Sequence, residues 1–464
     1  MAYDVAIVGS GFSAIAVTIN LLRLLPSSAR VAVVGDDPGF GRGTAYRTEF
    51  YLHRLNVPAG RMSVFPDEPN DFVDWLQAEE RPLNGQDFAS RGDYGRYLRD
   101  RLAALLRDRP NRASVEFIKA KARACVECTT SGVIFHLDNA SEMTARNVVL
   151  CLGVGNAALP LGPDSLDAAA KPRIVRNPWR LGWLSKVAPS DEICILGSGL
   201  TMIDQVLSLR AHGHRGRIHL LSRRGLLPHS HRAGHHSPAK PDLPDSTTAL
   251  SAILQSLRRQ VRSGTDWRDV MDGLRSQTQI LWQRLDKDQR ACFLRHGLAW
   301  WNIHRHRIAP AVFSEFDALV RDRTVTVHAG FLQTIRHSDK GLGVDYRPRG
   351  RLKAERLQVD WIVNCTGMER AGIAHSPLLR EMLEEGMIAA DELGLGIAVD
   401  PHSQVLDSRG HPQSGLYAIG ALTAGQFWEI TAVPDIRVQA RDVVKAIAGQ
   451  FESGPDVNTQ PAVR

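Results

Sequence analysis

The chain of 464 residues has only six cysteines, 6% aromatic residues and no block of five or more like charges. Six cysteines over this length do not make the disulfide framework of a small secreted domain. The missing charge blocks remove the signature of a nucleic-acid-binding tail, although 57 Lys+Arg exceed 50 Asp+Glu and leave a net charge of +7. No apolar run has membrane-spanning character, because Gly9, Gly11, Thr18, Asn20 and Arg23 interrupt the first candidate. The sequence enters a strand pattern at Tyr3-Asp-Val-Ala-Ile-Val-Gly9, with no basic leader or cleavage site before it. Paired carboxylates for hydrolysis, a serine elbow and clustered metal ligands are also missing. These absences predict a cytoplasmic protein without a metal, a membrane or a nucleic-acid partner.

Glycine in ordered turns is what the sequence does have. Val5–Val8 ends in Gly9-Ser-Gly11-Phe-Ser-Ala14, a helical pattern follows, and a second apolar strand, Val31–Val34, ends at Gly35-Asp36. Strand, glycine turn, helix, strand and acid in this order make a dinucleotide-binding unit. Gly9 permits the tight turn, Gly11 lets backbone approach a pyrophosphate, and Ala14 keeps the helix close to the sheet. Asp36 follows by roughly 20 residues, where an acid binds a ribose hydroxyl. The alternative is a glycine turn that only packs.

The pattern recurs at Ile193–Leu196, Gly197-Ser-Gly199-Leu-Thr-Met202 and Arg217–Leu221. Here the second strand ends in Ser222-Arg223-Arg224, and two guanidiniums at the ribose end suit the 2′-phosphate of NADPH rather than NADH. A solvated basic turn is the competing reading. Each turn is followed, much later, by an apolar strand ending in Cys-x-Gly, at Cys151-Leu-Gly153 and Cys365-Thr-Gly367. A third strand, Gly415 to Gly420, precedes Phe427-Trp-Glu-Ile-Thr431 and a helix expected from about Ile436, with Asp435 as its N-cap.

These signals predict an α/β chain of two nested Rossmann-like dinucleotide-binding domains with β-meanders and a helical insertion. The expected division is a discontinuous FAD-binding domain at 1–165 and 366–451, and an NAD(P)H-binding domain at 190–365. A helical insertion at 246–323 and a disordered tail at 452–464 complete it. From Arg223 to Arg323 there are 17 Lys+Arg against 10 Asp+Glu, so the basic excess lies wholly there. That predicts a local field favouring a phosphorylated cofactor and an anionic substrate.

Several long motifs resemble the FAD/NAD(P)-binding proteins of the YdhS-like group. They are Gly9-Ser-Gly-Phe-Ser-Ala14, Phe40-Gly-Arg-Gly-Thr-Ala-Tyr46, Leu55-Asn-Val-Pro-Ala-Gly-Arg-Met-Ser63 and Gly197-Ser-Gly-Leu-Thr-Met-Ile-Asp204, with Trp300-Trp-Asn-Ile-His-Arg-His-Arg307 and Phe427-Trp-Glu-Ile-Thr-Ala-Val-Pro-Asp435. That group is distantly similar to class B flavin monooxygenases and N-hydroxylases, and the chain resembles its FAD-dependent urate hydroxylases most. The resemblance implies FAD in the first domain, NADPH or NADH in the second, O2 as co-substrate, and hydroxylation of a small nitrogen heterocycle, with urate to 5-hydroxyisourate as the best candidate. Where many such flavoproteins carry Gly-Asp against the flavin ribityl chain, this sequence has Gly420-Ala421.

Gly41 and Gly43, then Asn56 and Met62, are expected to approach or wall the flavin, and Gly420 and Thr431 to lie beside its middle and its polar edge. His304 and His306, next to Trp300 and Trp301, are the catalytic candidates, with the tryptophans able to stack a flat heterocycle. An aromatic–basic packing helix is the alternative there. Cys125 and Cys128 are expected on opposite faces of a strand, which disfavours a redox pair, and His229, His231, His235 and His236 in a Pro-rich lid rather than around a metal. An NADPH-dependent flavin oxidase or reductase, and a non-catalytic nucleotide-bound redox sensor, remain the rival functions.

Overall fold

A computed structural model describes residues 2–36, 40–48, 50–108, 111–129, 131–153, 155, 157–232, 234, 236–244, 249–367, 373 and 375–452. Gly39, His235 and positions 453–464 of the expected tail lie outside the described residues, while Glu452 is helical.

The N-terminal part runs β1 (Ala2–Val8), α1 (Phe12–Leu24), β2 (Arg30–Val34), a single turn α2 (Gly43–Tyr46), α3 (Asp71–Ala78), α4 (Arg91–Arg107), β3 (Ser114–Ile118), β4 (Ala122–Thr129), β5 (Gly132–Leu137) and β6 (Glu142–Leu150). The middle continues with β7 (Ile174–Val175), β8 (Ile193–Leu196), α5 (Leu200–Ala211) and β9 (Ile218–Ser222). Six helices follow: α6 (Leu250–Arg262), α7 (Trp267–Leu274), α8 (Thr278–Arg284), α9 (Lys287–Cys292), α10 (Leu298–Arg305) and α11 (Pro310–Arg321). Then come β10 (Val325–Ser338), β11 (Gly341–Pro348), β12 (Glu355–Val359), β13 (Trp361–Asn364), α12 (Pro377–Glu384), β14 (Gln404–Leu406), β15 (Pro412–Ala418) and α13 (Val433–Glu452).

Two Rossmann-type sheets result. The first has the order β14-β15-β6-β1-β2-β3, with β5 branching from β6 to carry β4. The second has the order β12-β11-β10-β9-β8-β13-β7. In both, the strand that enters the glycine turn is flanked by parallel neighbours, β2 and β6 around β1, β9 and β13 around β8. The Cys-x-Gly strands therefore sit beside the nucleotide strands, as their repetition implied.

Helix α1 is buried from Phe12 to Leu22, including Thr18 and Asn20, whose side chains bond back to Ala14 and Ala16 carbonyls. Such all-round burial explains its apolar sequence, since one side meets the sheet and another meets α13 through Ile436, Ala440, Val443 and Ile447. The last helix begins at Val433, so Asp435 lies within its first turn rather than capping it, and it pairs with Arg275 instead. In the meander of the second sheet, Val325–Ser338 is one long strand, β10. Cys125 and Cys128 also depart from simple alternation. A register shift between Cys125 and Glu127 turns both toward the same apolar core, and both thiols are free and pushed up in pKa by burial.

Helix α5 is buried all round as well, but its buried set includes Asp204, Gln205 and Ser208. They meet the segment between α2 and α4. Arg91 pairs with Asp204 at 2.8 Å and lies over the Trp179 ring, and His53 bridges Thr48 and Ser208 at 2.9 and 2.8 Å. Ser208 gives its own hydrogen to the Asp204 carbonyl, so it accepts from His53. Burial and the adjacent Arg91 push His53 down to about 4, which keeps this joint neutral. Arg91→Ala strands the buried Asp204 without its cation and is expected to cost about 3 kcal/mol or more in urea unfolding. Combining it with Asp204→Asn is expected to recover part of that loss; an unchanged loss in the double variant would show that the pair is not coupled.

Candidate functional site

The two glycine turns are built alike. Gly9 has φ +137°, and a Cβ there would lie 2.3 Å from the Cys151 carbonyl oxygen; Gly197 has φ +103°, and its Cβ would lie 2.2 Å from that of Cys365. Cys151 N–H donates to Val8 O, and Cys365 N–H to Leu196 O, both at 2.8 Å. The first glycine is thus required by the fold. The second is not: Gly11 and Gly199 have φ −93° and −87°, and an added Cβ would touch nothing closer than 4.0 Å at Gly11 and nothing within 4 Å at Gly199. Each is the N-cap of a helix without a side-chain cap, which leaves backbone N–H groups bare at the positive end of the dipole. That opening fits a pyrophosphate, and packing gives no reason for it.

Gly41, Gly43 and Gly420 gather around the first turn. Ala14 is fully buried. Gly41 N–H donates to Ser10 O at 2.9 Å, and Gly43 has φ +54° with its Cβ position 3.2 Å from Gly11 Cα, so the 40–46 loop lies over the helix opening. Gly420, φ +74°, abuts Ser13, while its N–H donates to Gln439 Oε1 at 2.8 Å. The Gln439 amide also donates to Ser403 and Thr423, so this buried glutamine fixes the strand end where the sequence lacks the usual aspartate. Asp36 stands at the end of β2, half exposed and paired with Lys121 at 2.8 Å. At the second turn, Ser198 bonds Ser222, and Arg223 and Arg224 beyond it make no ion pair or hydrogen bond among the described residues.

A third cluster joins the six-helix segment to these loops. His231 Nε2 donates to Asn56 O at 2.9 Å, and burial with nearby Arg307 pushes His231 down to about 4. Met62 is buried, and the next residue's carbonyl, Ser63 O, accepts from Arg437. Glu429 takes the Trp301 indole N–H at 2.9 Å and His306 Nε2 at 3.2 Å on one oxygen, while Arg305 Nε lies 3.4 Å from the other. Arg307 pairs with Asp272, which His236 also approaches, and Arg275 with Asp435 at 3.1 Å. Three guanidiniums thus face three carboxylates. The expected anionic-substrate field is weakened locally here, because Arg305, Arg307 and Arg275 each have an acid, while Arg437 donates to a backbone carbonyl.

His304 and His306 are not brought to one point. His304 donates its Nδ1 hydrogen to Trp300 O at 2.8 Å and meets His229 at a tilt and Trp267 edge-on, whereas His306 faces Glu429. Trp300 is 49% exposed while Trp301 packs on Phe293, so the two indoles diverge and cannot sandwich one heterocycle. Thr431 is exposed, and its N–H donates to Glu429 O. Sequence reasoning overlooked Glu429, Asp272, Arg275 and Gln439 because their partners are distant in the chain; only Glu429 lay inside a motif already singled out. Beside the Phe427–Asp435 loop opens a cleft of about 360 Å³ lined by residues that include His402, Phe427, Ile430, Asp435 and Asp442, with no lysine or arginine in its wall.

Residues 6–155 match the FAD-NAD(P)-binding family, and residues 391–433 match the FAD binding domain family. No curated protein sequence matches the chain. Among solved structures, the ornithine N-hydroxylase of Kutzneria sp. 744 superposes with a TM-score of 0.67 at 14% identity, over 97% of this chain and 100% of that one. The L-lysine 6-monooxygenase of Pseudomonas syringae gives 0.65 at 17% identity, over 96% and 99%. The FAD-bound cadaverine monooxygenase of Erwinia amylovora gives 0.66 at 13%, over 100% and 99%. The fold is that of these flavoprotein monooxygenases. FAD-binding sequence thus stands at both ends of the first sheet, where Gly9 and Gly420 meet the start of α1. Among the described residues no three His, Cys, Asp or Glu side chains gather as a metal site, and no helix is long and apolar enough to cross a membrane.

Glu429 carries a stability prediction. Burial works against its ionisation, but His306, Arg305 and the Trp301 N–H overcome it and hold the carboxyl at about 2, below its ordinary 4.5. A depressed carboxyl stabilises the fold above the unfolded value and loses that contribution as pH falls from 4.5 toward about 2. Urea unfolding across this window is expected to show the wild type losing up to about 3 kcal/mol more than Glu429→Gln. Parallel curves for the two proteins would contradict the assignment.

Proposed function

We propose that the chain is an FAD-dependent, NAD(P)H-consuming monooxygenase that hydroxylates a small nitrogenous molecule with O2. The observation that carries this reading is the pair of uncapped helix N-termini at Gly11 and Gly199, each kept bare by a glycine that neither backbone conformation nor packing requires. We assign the first turn, with Asp36, Gly41, Gly43, Asn56, Met62, Gly420 and Thr431 around it, to FAD, and the second, with Arg223 and Arg224, to NADPH. The corresponding division is 1–165 with 366–451 for FAD and 190–365 for the nicotinamide nucleotide, the insertion at 246–323 supplying the substrate side. Bound flavin supplies hydride acceptance and oxygen activation. The protein's own residues hold the two nucleotides, exclude water through the buried Glu429 seam and position the substrate.

Two substrates are carried by different observations. Urate follows from the motif resemblance. A primary amine is favoured by the amine substrates named for the three structural neighbours. The deciding experiment follows NADPH oxidation and product formation in air with urate, L-ornithine, L-lysine and cadaverine in turn. Oxidation stimulated by one compound, with its hydroxylated product, supports the hydroxylase; oxidation matched by hydrogen peroxide, with every compound untouched, supports the flavin oxidase. Replacing both Arg223 and Arg224 by Ala is expected to weaken NADPH by about 2 kcal/mol while leaving NADH nearly unchanged, measured by equilibrium binding. Equal weakening of both nucleotides would remove the 2′-phosphate assignment.

A further inference from the structure

We propose that His306 and Glu429 form an oriented base, in which Glu429 fixes the imidazole and Nδ1 of His306 takes a nitrogen-bound proton from the substrate. This deepens the hydroxylase reading and rests on it. A carboxylate only accepts hydrogen bonds, so the 3.2 Å contact to Glu429 Oε1 places the imidazole hydrogen on Nε2. Nδ1 is then an acceptor, and it has no partner among the described residues. The His306 side chain is 29% exposed, while Glu429 behind it is only 12% exposed. An imidazole held by an acid on one nitrogen and free on the other is the arrangement by which a base is oriented and its protonated form stabilised.

Glu429 itself is held for this purpose. It has φ +67°, a left-handed conformation that costs a non-glycine residue energy and persists where surroundings over-determine it. Its carboxylate is turned inward onto Trp301, His306 and Arg305, all from α10 or the residue after it, and so ties the insertion to the loop that follows the flavin strand. His304 lacks such an acid; its Nδ1 hydrogen goes to a backbone carbonyl. The other charged groups around His306 are matched: Arg305 with Glu429, Arg275 with Asp435, Arg307 with Asp272, and His231 is neutral above about 4.

Both candidate substrates present a proton on nitrogen, an ammonium or a ring N–H. That proton passes to Nδ1 and its electron pair stays on the substrate. For an ammonium the proton given to His306 is the one the reaction consumes, so RNH3+, O2 and NADPH yield RNHOH, NADP+ and water; a ring N–H compound, O2, NADPH and one further proton yield the hydroxylated product, NADP+ and water. Glu429 is a positioning residue in this scheme and His306 the catalytic one.

The test uses the full-length holoprotein with the four compounds above. His306→Gln keeps an N–H for Glu429 but cannot accept a proton. It is expected to fold and to bind FAD, while product formation falls about 100-fold or more. In Glu429→Gln the imidazole loses its acid anchor, so product formation is expected to fall and the fixed Nε2–H tautomer of His306 to be lost. Nitrogen-15 NMR of histidine-labelled wild type is expected to show His306 as the Nε2–H tautomer. An Nδ1–H tautomer, or full product formation by His306→Gln, overturns the dyad and leaves the hydroxylase standing. Absence of product from all four compounds with wild type overturns the hydroxylase reading itself. If Glu429→Gln does not fold, the glutamine variant of His306 and the wild-type tautomer decide the matter.

Discussion

Everything in the molecule is arranged around one steric constraint applied twice: a glycine pressed against the carbonyl of the neighbouring strand. At Gly9 and Gly197 no side chain fits above Cys151 and Cys365, and the positive φ turns the chain sharply enough for a helix to start two or three residues later. The consequence is that α1 and α5 each direct bare N–H groups across the end of a parallel sheet. The C-terminal strand then brings Gly420 onto Ser13, so sequence from opposite ends of the chain closes the first opening. Cofactor chemistry needs both openings at a fixed distance, and the Arg91–Asp204 and His53–Ser208 contacts supply that rigidity between α5 and the first sheet's loops.

What the sequence revealed was local. Strand, glycine turn, helix and second strand are adjacent in the chain, so β1, α1 and β2, and likewise β8, α5 and β9, could be placed from spacing alone. The same holds for the repeated Cys-x-Gly strands and the helical run after Leu250. The helix start at Val433 was missed because Asp435 looks like a cap, and only the position of Arg275 gives that carboxylate another partner. The face shared by Cys125 and Cys128 was missed because a bulge breaks the period of two, which no composition signal announces.

The candidate site shows the same division more sharply. Nucleotide positions are written as short motifs. The seam among Glu429, His306, Arg305, Asp272, Arg275 and Asp435 is written as isolated charges far apart, so its pairing appears only when the six-helix segment docks on the flavin-strand loop. A basic surplus in the sequence suggested an anionic substrate. Docking pairs Arg305, Arg307 and Arg275 of the seam with Glu429, Asp272 and Asp435. Charge counting along the chain could not give the local field, because that depends on which acids fold back onto those arginines.

The central claim is that the two turns hold two different nucleotides in electron-transfer contact. Anaerobic mixing of the FAD-loaded protein with NADPH tests it most directly. The account predicts that the yellow flavin absorbance bleaches with one equivalent of NADPH and returns on admission of O2. A protein that binds no FAD, or binds it and keeps its oxidised spectrum in the presence of excess NADPH, would contradict it.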